Sequence, residues 1–306
     1  MKTLLIFVCF FMLIGCDSTG NETIAASNQP NALRNDVPDA ANRSLSPEFK
    51  DYWYAGVAEI SNYDLKITRY GEERDGNAVL IFVTEPFDAL DQIKADKDKE
   101  TNRSVLKLNA TRDFYTGIYP YKIMSSTFLP LDKEENAIKV ATSIQEWCGH
   151  TYMQLNNKGD KYDGVLYSYF QSEGNTEFTV ENVMLENQIP NQLRIDPKLM
   201  PTGDIKIIPS TEYLRLTHNP TEALMATASL EMQDDQFIYS VIYNNGRKIS
   251  YTLESTSPYK ILSWYEEYPQ RGSISTSTAS LKKSLRTPYW NQNSNKYSVL
   301  RDSLGL

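Results

Sequence analysis

QFIYSVIYNNGRKISYTLES, residues 236 to 255, sets two runs rich in β-branched and aromatic residues on either side of Asn244-Asn245-Gly246. Such runs suit a pleated, half-buried surface, and Asn-Gly between them is the strongest short-range hairpin signal. The pattern recurs along the chain in YDLKITRY (63 to 70), AVLIFVTE (78 to 85), SVLKLNAT (104 to 111), IKVATSIQEW (138 to 147) and VLYSYF (165 to 170). Many of these runs alternate in polarity, as half-buried antiparallel strands do. Turn signals separate them: GEERDGN (71 to 77), NNKGD (156 to 160) and EGN (173 to 175). The spacing predicts a mainly β chain, with an antiparallel curved sheet or sheets in a half-barrel or sandwich-like arrangement. One short helix is expected near 180 to 193, with Val180, Val183, Met184 and Leu185 on one face before Pro190 disturbs it. Twenty tyrosines fit half-wet strand faces, where the ring packs and the hydroxyl stays hydrated. PYKIMS (120 to 125) and PYKILS (258 to 263) echo each other and hint at two related β layers.

The chain opens MKTLLIFVCFFMLIG, with one cation at Lys2, an apolar run from Leu4 to Ile14, and Gly15 before Cys16. This is the pattern of a secretory signal peptide over residues 1 to 15. The run is too short for a spanning helix, which needs about 20 residues. Leu13-Ile14-Gly15-Cys16 resembles a bacterial lipobox, which implies cleavage before Cys16 and lipidation of its thiol. Two or more acyl chains such as palmitate then hold the protein on a membrane. Residues 16 to 45, rich in Asn, Ser, Ala, Asp and Pro without apolar periodicity, read as a flexible tether, and residues 46 to 306 as a β-rich globular domain. Export to the cell envelope follows. The outer membrane is the expected address, because the inner-membrane retention rule that Asp17 would satisfy is not general.

The formal charge of -8 becomes -9 once Lys2 leaves with the signal. No dense basic cluster offsets it, and Lys282, Lys283 and Arg286 form the densest group, so nucleic acid is not an expected partner. With Cys9 removed and Cys16 lipidated, Cys148 stands alone and no intramolecular disulfide forms. Stability must come from an apolar core.

SIQEWCGH (143 to 150) gathers Glu146, Trp147, Cys148 and His150. Read as a strand, it places Ile144, Glu146, Cys148 and His150 on one face. Thiol, imidazole and carboxylate are the parts of a nucleophilic site. Neighbours on that face are about 7 Å apart, however, and no helix N-terminus or cation is in place to activate the thiol. As a metal site the set lacks a fourth ligand, with His218 the only other histidine. A buried cysteine acting as a small hydrophobe and a histidine at a strand end is the favoured reading of the stretch. Gly-x-Ser-x-Gly, phosphate-loop, His-Glu-x-x-His and dinucleotide motifs are absent from the sequence. The adjacent pairs Glu266-Glu267, Glu134-Glu135 and Asp234-Asp235 would point to opposite strand faces or lie in turns. No cofactor and no metal are expected.

YWYAGVAEISNYDLKITRYGEERDGNAVLIFVTEPF (52 to 87), TGIYPYKIMSSTF (116 to 128), SIQEWCGHTYMQLNN (143 to 157), PTGDIKIIPS (201 to 210) and SLRTPYWNQN (284 to 293) resemble a family of bacterial lipoproteins often labelled "septum formation inhibitor Maf". The resemblance covers most of the chain after the tether. The serine-proline-arginine-arginine loop of Maf pyrophosphatases has no counterpart here, so no residue of that enzyme is carried over. The reading that results is a membrane-anchored envelope lipoprotein acting as a non-catalytic binding or assembly module for a lipid, glycan, peptide or envelope protein. Trp53, Trp147 and Trp264, with Trp290, are the candidate contact aromatics. The alternatives are a hydrolase or transferase built on Cys148 and His150, and a Maf-like role in septum formation.

Overall fold

Phe237, Tyr239, Val241 and Tyr243 are buried on one side of their strand, whereas Ile238, Ser240 and Ile242 face outward. This alternation, repeated in strand after strand, turns the hairpin pattern into a two-faced sheet. The computed structural model describes residues 40–306, and the expected signal, Cys16 and most of the tether lie outside them. The first strands are β1 (Ala58–Arg69), β2 (Glu72–Asp88), β3 (Ile93–Lys94), β4 (Asn102–Thr116) and β5 (Tyr119–Pro130). They are followed by β6 (Lys139–Glu146), β7 (Gly149–Asn157), β8 (Lys161–Ser168), β9 (Asn175–Glu181) and the short β10 (Met184–Leu185). The remaining strands are β11 (Gly203–Ile208), β12 (Leu224–Gln233), β13 (Gln236–Tyr243), β14 (Lys248–Glu254), β15 (Ile261–Gln270) and β16 (Ser273–Thr287). Four short helices accompany them: α1 (Pro47–Trp53), α2 (Ile189–Ile195), α3 (Thr211–Thr217) and α4 (Val299–Leu304).

All sixteen strands join one sheet in the order β10-β11-β12-β13-β14-β15-β16-β1-β2-β4-β5-β6-β7-β8-β9, with β3 on the flank of β2. Every pairing is antiparallel except β10 with β11. A flat sheet of this width would hold its edges roughly 65 Å apart at about 4.8 Å per strand. Instead Lys206 of β11 lies 2.5 Å from Glu181 of β9. The sheet therefore curls until its margins meet through side chains, while no ladder joins β9 to β11 and the sheet stays open.

The concave face is filled by the segment between β9 and β12. Ile189 and Leu193 of α2 and Leu214 of α3 are fully buried and share one apolar cluster with Leu106, Ile123, Val140, Tyr239 and Trp264 from the sheet. Buried polar pairs dock the same segment. Arg194 of α2 bonds both oxygens of Glu59 at 2.5 and 2.7 Å, and Thr211 of α3 meets Thr142 of β6 at 2.5 Å. Glu186 pairs with Arg247, which also contacts Glu266, itself 2.5 Å from Arg112. On the convex face α4 packs Leu304 against Ile60 and Val79.

The mainly β, antiparallel expectation stands, and the helix is displaced to the end of its expected window and beyond it, at Ile189–Ile195. Residues 175–181 and 184–185 are strands, so Val180 faces the core from a strand rather than a helix. Pro190 sits in the first turn of α2 instead of ending a helix, because that turn needs no N–H from it. GEERDGN is also mostly strand. The turn there is Tyr70-Gly71, both left-handed at φ 57° and 80°, and β2 begins at Glu72. The first PYKI copy lies within β5 and the second runs into the start of β15, strands of the same sheet.

Candidate functional site

β6 and β7 form a tight hairpin in which Glu146 pairs with Gly149 and Gln145 with His150. SIQEWCGH is thus two strand ends around a Trp147-Cys148 turn, and the single-face arrangement of Glu146, Cys148 and His150 does not exist. The Glu146 carboxylate accepts from the Cys148 backbone N–H at 2.7 Å and closes the turn. Gly149 supplies the necessary room, since a Cβ there would lie 2.7 Å from the Tyr169 ring. His150 projects to the convex face, in a shallow groove with Tyr152 and Tyr167. Cys148 is exposed, and its hydrogen bond with Glu146 pushes the thiol up, away from the thiolate a nucleophile needs.

Several chain reversals converge at this end of the sheet: β1–β2, β6–β7, β8–β9 and β15–β16, together with the C-terminus of α3. They surround an open cavity of about 790 Å³. Arg69, the last residue of β1, enters its wall. Its guanidinium donates to the Leu216 carbonyl at 2.8 Å and the Tyr121 hydroxyl at 3.3 Å. The Tyr70 and Tyr121 rings lie 4.6 and 5.3 Å from it, and their hydroxyls meet at 2.7 Å. Cation–π contact on both rings fixes the guanidinium plane. Phe114 stacks behind Tyr121 at 4.9 Å, so the wall is stiff.

Across the cavity, α3 ends at His218, whose left-handed φ of 58° caps the helix. His218 Nδ1 lies 2.8 Å from Glu173, and Arg215 donates to the same carboxylate at 2.8 Å. Burial would raise the Glu173 carboxyl, but the Ser168 hydroxyl, His218 and Arg215 outweigh it and hold it below the ordinary carboxylate range. The dyad orients an imidazole, yet neither side chain is hydrogen-bonded to Cys148. Among the described residues no three His, Cys, Asp or Glu side chains gather as metal ligands.

The candidate aromatics separate. Trp53 is 1 % exposed, wedged between Phe82 and Arg194 in the core. Trp264 is buried against Tyr63 and lines a small space of about 40 Å³. Trp290 is half-exposed in a 3-10 turn at the C-terminal side of β16. Trp147 is 69 % exposed at the hairpin tip beside the cavity, with Tyr119 stacked at 6.4 Å. Arg69, Arg215, His218 and Tyr121 form the site without any local motif announcing them. No protein-family model matches the chain, and no curated protein or solved structure is significantly similar to it.

Proposed function

We propose that this chain is a lipid-anchored envelope protein that binds a ligand in the cavity between Arg69 and His218, without turning it over. The observation that carries the reading is where the cavity lies. The described chain enters at the opposite end of the sheet, where Arg43 bonds the Asp132 backbone beyond β5 and α1 precedes β1. A tether running from Cys16 to this entry would join the domain at the end of the sheet remote from the cavity, so the attachment would leave the opening free. Its size falls within the range of small-molecule sites, and polar groups alternate with tyrosine rings on its wall. A thiol raised by Glu146 and not hydrogen-bonded to His150 or His218 favours binding over catalysis. The test is mass spectrometry of small molecules released by denaturing the purified full chain. A stoichiometric small molecule, retained less by a Tyr121→Ala chain, supports the role. A chain that releases nothing, and binds nothing added, is better read as a protein-assembly module.

A further inference from the structure

We infer that the ligand of this cavity is an organic oxyanion, a carboxylate or a phosphate ester, held by Arg69 and Arg271; the inference rests on the binding role proposed above. The whole chain is acidic, with 39 Asp and Glu against 31 Lys and Arg. This cavity inverts that balance: three arginines, Arg69, Arg215 and Arg271, line it with the single carboxylate Glu146. Glu146 is committed to the hairpin turn through the Cys148 N–H, and Arg215 is neutralised by Glu173 at 2.8 Å. Arg69 and Arg271 make no ion pair among the described residues.

Arg69 is the stronger of the two observations. A guanidinium carries five N–H donors, and the chain uses two of them, both on neutral acceptors. A half-buried cation whose plane is fixed by two tyrosine rings, and which lacks a counterion, is prepared for an external anion. Arg271 stands on the β15–β16 turn, left-handed at φ 49° beside Gly272, and is exposed at the same opening. Two further groups on the wall await a partner: the Thr151 hydroxyl and Arg215 Nε are unpaired, in residues only 8 % and 6 % exposed. The volume of about 790 Å³ far exceeds an inorganic ion, so the anion must carry a body that fills the space beside Tyr70, Tyr121 and Phe170. Flat or ring-bearing bodies suit those faces.

The experiment uses the purified full chain, stripped of any released molecule. Benzoate, phenyl phosphate and their uncharged counterpart benzyl alcohol are titrated at fixed ionic strength and followed by ligand-observed NMR. Both anions are expected to bind at least about tenfold more tightly than benzyl alcohol, the worth of a charge-assisted hydrogen bond. The tighter of the two identifies carboxylate or phosphate. Arg69→Gln and Arg271→Gln should each remove about that factor, whereas Lys282→Gln on the convex side should remove none. Arg69→Gln also deletes a bond to α3, so Arg271→Gln, whose side chain has no partner in the described chain, decides the matter. Benzyl alcohol binding as tightly as the anions, or anion binding unchanged by Arg271→Gln, overturns the inference and leaves the binding role standing. No binding by any of the three probes, together with no released molecule, overturns both.

Discussion

Glu59 and Arg194 meet with both side chains at 0 % exposure, and the Tyr52 hydroxyl donates to the same carboxylate at 2.5 Å. Burial alone would raise the Glu59 carboxyl, but Arg194 outweighs it and holds it at about 2, against 4.5 for a free side chain. A depressed carboxyl stabilises the fold fully above its unfolded value, and that contribution disappears as pH falls from about 4.5 toward 2. It amounts to about 3 kcal/mol at neutral pH. Urea midpoints measured from pH 7 to pH 2 should therefore fall more steeply for the wild type than for Glu59→Gln, and parallel curves would refute the assignment. Arg194→Met, which leaves the buried carboxylate alone, should cost about 3–5 kcal/mol at pH 7. The Glu146–Cys148 contact has a kinetic signature. Iodoacetamide should modify Cys148 slowly near neutral pH despite its exposure, and Glu146→Gln should accelerate the reaction several-fold by lowering the thiol toward its ordinary value. Equal rates would mean that Glu146 does not govern the thiol.

Two glycines separate the kinds of constraint that hairpins place on their residues. Gly76 lies within β2, where a Cβ would stand 2.3 Å from the Asp113 carbonyl oxygen of β4, and backbone cannot step aside. Gly76→Ala should cost about 1–3 kcal/mol, as overpacking does. Gly174, in the β8–β9 turn, has open space around it and only a φ of +62° to satisfy. Gly174→Ala should cost about 1 kcal/mol, the left-handed penalty alone. Thermal unfolding of the two variants checks the order, and a larger loss for Gly174→Ala would show that φ, not space, dominates. The same comparison explains what was legible in the sequence at this scale. QFIYSVIY coincides with β13 and KISYTLES exceeds β14 by one residue, because alternation there matches a buried face and the Asn-Gly turn. GEERDGN carries four residues that favour turns, Gly71, Asp75, Gly76 and Asn77, yet it continues a strand because the β1–β2 hairpin extends past the core to its tip at Tyr70-Gly71. The 180–193 window misleads for a related reason: Val180 and Leu185 are buried from extended backbone, and apolar spacing over so few residues fits either period.

At the scale of the whole domain, the cavity was the least legible feature. Arg69, Tyr121, Glu173 and His218 lie on four separate hairpins or helix ends, and a lone polar residue at a strand terminus produces no periodic signal. Only the curl of the sheet brings them together. The concave face so formed is filled by the covering segment, whose docking groups Glu186, Arg194 and Glu212 stand among other polar residues and carry no periodic signal. In the same architecture the proposed attachment and the proposed ligand site stand at opposite ends of the sheet. β1 runs from the entry end at Ala58 to the cavity at Arg69, 12 residues that span about 40 Å at roughly 3.3 Å each. Lipidation at Cys16 should therefore set where the protein resides and leave what it binds unchanged. Cys16→Ser should move the chain from the membrane fraction to the soluble fraction, while its affinity for a cavity ligand in solution stays within about twofold of the lipidated chain, since no contact of the cavity lies near the entry end. A Cys16→Ser chain that remains on membranes would remove the anchor. A chain that is released but loses affinity would place the membrane surface itself in the binding site, and the cavity would then have to face the bilayer.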